Sequence, residues 1–137
     1  MVDEAELVRK AVEARKLAYA PYSRFPVGAA LLAKDGRIFT GCNVENASYG
    51  LTVCAERVAL FKAVSEGARE FLALAVACGK GPCAPCGACR QVLYEFAPDL
   101  LVIMADGEGK AWQTKRLGEL LPQGFGPCDL EQLRTEK

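Results

Sequence analysis

The chain has 137 residues, enough for one domain over 1–137 whose core buries roughly two thirds of the unfolded surface. Seventeen basic residues balance 17 acidic ones, and the pI is 6.3. That balance argues against a nucleic-acid binder, which shows a basic face, and for a small, weakly charged partner. The first residues carry no basic stretch leading into an apolar one, and apolar runs such as 72–78 fall short of the ~20 residues a bilayer requires. The expectation is a cytoplasmic protein without a membrane partner.

Residues 3–19 place Leu7, Val8, Ala11, Val12, Ala14, Leu17 and Ala18 at helical spacing, ahead of Pro21. Val27 to Ala33 and Ile38 to Cys42 read as strands joined by a hairpin turn at Asp35-Gly36. Residues 43–50 form a polar loop. A helix opens at Thr52 or Val53 and runs to about Glu66, with Gly67 as its stop. Leu72 to Ala77 is an apolar strand, Cys86 to Phe96 a helix, Leu100 to Met104 a strand. After a turn at 106–109, Lys110 to Thr114 makes a fifth strand, with a short helical tail beyond. The order α-β-β-α-β-α-β-β predicts an α/β fold, a three-layer α/β/α arrangement around a mixed five-stranded sheet. Crossovers through 53–67 and 87–97 make the middle strands parallel and start both helices at one sheet edge.

Seven cysteines and no histidine stand in this chain. The odd number and the adequate core argue against a disulfide scaffold. Cys42 and Cys78 close strand-like runs and read as core; Cys83 and Cys128 lie in turns and read as free thiols. Cys86 and Cys89, three apart at a helix start, share a face, and Cys54 begins another helix. Helix N-termini carry partial positive charge that favours thiolates. Three thiolates can hold one zinc with a fourth position open, as catalytic sites do. Glu56 stands two residues from the first ligand, placed to carry protons. Three thiolates on a divalent ion leave one net negative charge, which Arg57 or Arg90 can offset by donating to sulfur; as solvated helix arginines they would do neither. Cys86/Cys89 alone also suits a redox pair, and the overlapping Cys83/Cys86 pair would allow a closed, four-cysteine structural site.

Tyr22-Ser23-Arg24-Phe25-Pro26-Val27-Gly28, Gly41-Cys42-Asn43-Val44-Glu45-Asn46-Ala47-Ser48-Tyr49-Gly50, Cys54-Ala55-Glu56-Arg57 and Pro85-Cys86-Gly87-Ala88-Cys89-Arg90-Gln91 together resemble the short, single-domain zinc-dependent cytidine deaminases. Resemblance extends over about residues 5–126. It implies zinc on Cys54, Cys86 and Cys89 and proton transfer by Glu56, and of the two arginines Arg57 is the one assigned to the charge on the thiolates. It also implies Asn43 and Glu45 on the ribose hydroxyls, Phe25 on the base, and Ala55 at the substrate. Ala47 and Tyr49 would complete the ribose site across a subunit boundary, and Phe125 would reach a neighbour's site in a homotetramer. The polar loop taken alone is equally an ordinary turn.

The reaction so implied is hydrolytic deamination of cytidine and deoxycytidine to uridine and deoxyuridine, releasing ammonia. A relative acting on an aminoacylnucleoside antibiotic fits the 43–49 loop and Phe125 less well. Deaminases of tRNA or DNA place histidine where Cys54 stands. A non-catalytic zinc module leaves Glu56 unexplained, and a thioredoxin-like protein needs no third cysteine.

Overall fold

A computed structural model describes residues 2–135 of the chain. Helix α1 spans Glu4–Arg15, and Asp3 caps it by accepting from the Glu6 N–H at 3.1 Å. Strands β1 (Val27–Ala33) and β2 (Ile38–Cys42) form the expected hairpin, with Gly36 at φ +97° in its turn. Helix α2 (Ala55–Ser65) precedes β3 (Phe71–Cys78), and α3 (Gly87–Tyr94) precedes β4 (Leu101–Asp106). Strand β5 (Trp112–Arg116), a short α4 (Leu117–Leu120) and α5 (Pro127–Thr135) complete the chain.

The sheet order is β2-β1-β3-β4-β5. Strand β1 is antiparallel to both β2 and β3, β3 is parallel to β4, and β5 runs antiparallel to β4. Strands β2, β3 and β4 therefore share one direction, although β1 intervenes between β2 and β3. The carboxyl ends of β2 and β3 meet at one edge, and α2 and α3 both start from it.

Alternation along the strands divides the core in two. Ala30, Ala73, Ala75, Ala77, Ile103 and Ala105 face one way and cluster with Leu7, Val8 and Ala11 of α1. Ala29, Leu31, Leu74, Val76, Val102 and Met104 face the other way, against Ala55, Ala59 and Leu60 of α2, Leu93 of α3 and Leu117 of α4. Helices thus cover both faces of a mixed five-stranded sheet. Two glycines permit the close approach. A Cβ at Gly28 would lie 2.0 Å from the Ala11 carbonyl oxygen, and one at Gly41 would lie 2.5 Å from that of Ala55.

Helix α1 ends four residues earlier than its apolar spacing predicts. Beyond Arg15 the chain leaves the helix to form a bridge, the Tyr19 N–H donating to the Asn43 carbonyl at 2.9 Å and the Glu45 N–H to the Tyr19 carbonyl at 2.9 Å. Val44 pairs in turn with Val53 through two 3.0 Å bonds. These bridges fix the polar loop, which includes a 3-10 turn at Tyr49–Leu51, and deliver Cys54 to the sheet edge. Strand β5 starts two residues later than predicted, because the Asp106 carboxylate accepts from the N–H groups of Glu108, Lys110 and Ala111 and holds them in the turn.

Candidate metal centre and substrate cleft

Cys54 and Cys86 are the N-cap residues of α2 and α3, and neither side chain caps its own helix. Their sulfurs are free to meet a common partner. Cys54 Sγ lies 3.9 Å from Cys86 Sγ, Cys86 Sγ lies 3.5 Å from Cys89 Sγ, and all three fall within 4.8 Å of one another. Tetrahedral zinc–thiolate geometry at ~2.3 Å requires sulfurs just under about 4 Å apart, so this donor set fits a zinc ion. Cys83 stands outside the cluster. Its sulfur lies against that of the buried Cys78, Cα to Cα 6.3 Å.

The two arginines part company. Arg57 Nη2 lies 3.5 Å from Cys54 Sγ. Arg90 turns away from the sulfurs, its Nε donating to the Pro85 carbonyl at 2.8 Å and its Nη1 to that of Leu120 at 2.7 Å. The expectation that Arg90 can serve the thiolates is corrected: it braces the loop that presents Cys86. Hydrogen bonding from the Cys89 thiol, then from Arg57 and Cys86, lowers the Cys54 pKa to about 5. Cys89 is pushed up by the same bond to Cys54 and by burial.

Glu56 follows in the first turn of α2 and is only 4% exposed. Burial raises its pKa to about 7, the Cys54 charge adding to the effect. A carboxyl poised near neutrality can both take and give a proton.

Glu56 and the sulfurs of Cys54 and Cys86 belong to a cleft of about 300 Å³. Phe25, Val27 and Val76 supply apolar lining, Asn43 and Glu45 polar lining, and Ala55 and Thr52 the surface between; Cys78, Cys83 and Ala84 border it as well. Asn43, 7% exposed, accepts from the Val27 N–H at 2.9 Å and donates to the Phe25 carbonyl at 3.0 Å. Each bond uses one face of the amide, leaving its second N–H and its second lone pair. Glu45 Oε1 accepts the N–H groups of Tyr22 and Ser23 at 3.0 and 3.1 Å, and Oε2 accepts the Ser23 hydroxyl. The Ser23 hydroxyl, then its N–H and that of Tyr22, hold the Glu45 carboxyl below its usual range.

Other residues singled out in the sequence fall elsewhere. Tyr49 is 74% exposed, its ring 5.8 Å from that of Tyr22, and the two wall a neighbouring hollow of about 310 Å³ that shares Ser23, Glu45 and Thr52 with the cleft. Ala47 and Phe125 lie outside the cleft lining. Phe125 is 53% exposed, and its carbonyl accepts from Gln91 Nε2 at 2.8 Å. Sequence reasoning passed over Ser23 and Thr52 as individual residues. Thr52 Oγ1 accepts the Asn46 N–H at 3.2 Å, a loop-bracing role that no spacing rule reveals.

Three thiols and a buried carboxyl at one end of a cleft form the constellation of a metal-assisted hydrolase. Comparison narrows the class. The family model described as cytidine and deoxycytidylate deaminase zinc-binding region matches residues 1–105. A cytidine deaminase of Halalkalibacterium halodurans is 53% identical over 131 residues, covering 94% of this chain and 98% of the relative. One from Mycobacterium tuberculosis is 48% identical over 134 residues, covering 97% of both. The crystal structure of cytidine deaminase from Burkholderia pseudomallei superposes with a TM-score of 0.85 at 52% identity, covering 91% of this chain and all of the other. The chain belongs to the cytidine and deoxycytidylate deaminase family.

Proposed function

We propose that this chain is a zinc-dependent cytidine deaminase that converts cytidine and deoxycytidine, with water, to uridine and deoxyuridine plus ammonia. The observation that carries the reading is the convergence of the Cys54, Cys86 and Cys89 sulfurs beside the buried Glu56 carboxyl in one cleft. Those three cysteines would hold the zinc, which supplies Lewis-acid activation of water.

The chain's own groups do the rest. Glu56 accepts the proton of the attacking water and delivers it to N3 of the base as oxygen adds to C4. It then takes the proton of the new C4 hydroxyl and passes it to the exocyclic amino group, so that the C4–N bond breaks, the C4 carbonyl forms and ammonia leaves. Phe25 packs on the base, Ala55 borders it, and the free valences of Asn43 and Glu45 meet the sugar hydroxyls. Arg57, on Cys54, offsets the excess negative charge of three thiolates.

The remaining assignments form one picture. Residues 1–137 constitute a single catalytic domain working in the cytoplasm, where thiolate zinc ligands stay reduced. No described helix is long and apolar enough to cross a membrane. Tyr49, Leu51 and Phe125 are large, apolar and exposed, which supports a homotetramer in which Ala47, Tyr49 and Phe125 serve a neighbouring subunit's site.

Incubating purified protein with cytidine and following the ultraviolet change on conversion to uridine, with metal analysis alongside, tests the reading. Turnover with about one zinc per chain supports it. Zinc without turnover indicates a structural module, and a zinc-free protein indicates thiol redox chemistry.

A further inference from the structure

The turn at residues 22–25 is organised around one hydroxyl. Ser23 Oγ donates to Glu45 Oε2 and accepts the Phe25 N–H at 3.0 Å. Both directions are fixed, because a carboxylate only accepts and a backbone N–H only donates. Glu45 Oε1 is already occupied by the N–H groups of Tyr22 and Ser23. A carboxylate offers about four acceptor positions, so three are filled from this turn and one, on Oε2, is left for the cleft. Arg24, between the two bonded residues, takes φ +56°, a left-handed conformation rare for its type, and its N–H donates to the Ala20 carbonyl at 3.0 Å. The network holds it there.

We propose that Ser23 is a positioning residue: its hydroxyl orients the Glu45 carboxylate toward a sugar hydroxyl and ties that carboxylate to the Phe25 backbone, so that sugar and base are gripped in register. The inference rests on the nucleoside reading above and deepens it. Ser23 acts through Glu45 and Phe25 and takes no part in proton transfer. Its contribution is the same in ground and transition states, which raises affinity without raising the chemical rate.

Steady-state kinetics of Ser23→Ala with cytidine and with 2′,3′-dideoxycytidine, which lacks the vicinal ring hydroxyls and keeps only the 5′ one, tests this. The expected result is a KM for cytidine raised about tenfold, the worth of one charge-assisted hydrogen bond, with kcat within about twofold. The dideoxy compound should change by less than about twofold. Inhibition constants for uridine and 2′,3′-dideoxyuridine give the same comparison without turnover of the dideoxy substrate. Ser23→Thr, which keeps the hydroxyl, should restore the cytidine KM. Equal losses with both sugars would mean that Ser23 merely stabilises the turn and would overturn the proposal, as would an unchanged cytidine KM. Wild-type protein that does not deaminate cytidine would instead overturn the nucleoside reading, and this inference with it.

Discussion

Arg57 Nη2 rests 3.5 Å from Cys54 Sγ, one helical turn along α2, while Arg57 Nε is buried with no hydrogen-bond partner among the described residues. A guanidinium held this way places a full positive charge against the Cys54 sulfur. Zinc bound by three thiolates would carry one surplus negative charge, which Arg57 is placed to offset. Arg57→Ala should weaken zinc retention and turnover by about 10–100-fold, the usual range for a residue supporting a metal ligand. Zinc loss to a chelator, timed against wild type, checks it; equal retention would remove Arg57 from the site.

Glu56→Gln keeps the shape of the side chain and removes its ability to carry a proton. Zinc content and melting temperature should stay near wild type, while kcat falls by about a hundredfold or more. A variant retaining substantial activity would assign the proton transfers to another group.

Asn43 joins the cleft to the start of β1 through both faces of its amide. Asn43→Ala leaves the Val27 N–H and the Phe25 carbonyl without partners, at about 1–3 kcal/mol for each group that stays buried. Asn43→Asp still accepts from Val27 but sets two acceptors against each other at Phe25. Thermal melts should rank wild type above both variants, and both should show a raised KM for cytidine.

Asp106 supplies the clearest pH signature. Its carboxylate accepts three backbone N–H groups, with bonds from Lys110, Glu108 and Ala111 holding its pKa below the ordinary 3.8. A depressed folded pKa means the stabilisation is present in full above about pH 3.8 and disappears as pH falls through the lower folded value. Asp106→Asn should therefore melt below wild type at pH 7, and the gap should narrow in acid below pH 3.8. A gap constant with pH would show that the carboxylate charge is irrelevant to the turn.

Cys83 belongs with Cys78 and not with the metal cluster. Cys83→Ala should keep about one zinc per chain and most of the activity, as measured by metal analysis and cytidine turnover. Loss of zinc from this variant would make Cys83 a fourth ligand.

Period and punctuation made the strands legible before any coordinates. Asp35-Gly36 marked the hairpin, and β1 and β2 fall on their predicted residues. Cys54, Cys86 and Cys89 were legible as a set because each stands at a helix start, where spacing rules are strong. Long-range partners were not legible. Spacing alone leaves both Arg57 and Arg90 beside a cysteine ligand, yet one reaches sulfur and the other a carbonyl 30 residues away. The early end of α1 has the same origin, since Tyr19 is recruited by Asn43 and Glu45, far along the chain.

Cys54 and Cys86 are 32 residues apart, and the whole of β3 lies between them in sequence, seated in the sheet between β1 and β4. Neither thiol can find the other until that central strand is in place. Zinc affinity is consequently a property of the completed fold, and the ion acts as a clasp on it. Each tenfold rise of free zinc above its dissociation constant adds about 1.4 kcal/mol to the native state. A chelator acting on this chain would work as a denaturant as well as an inhibitor.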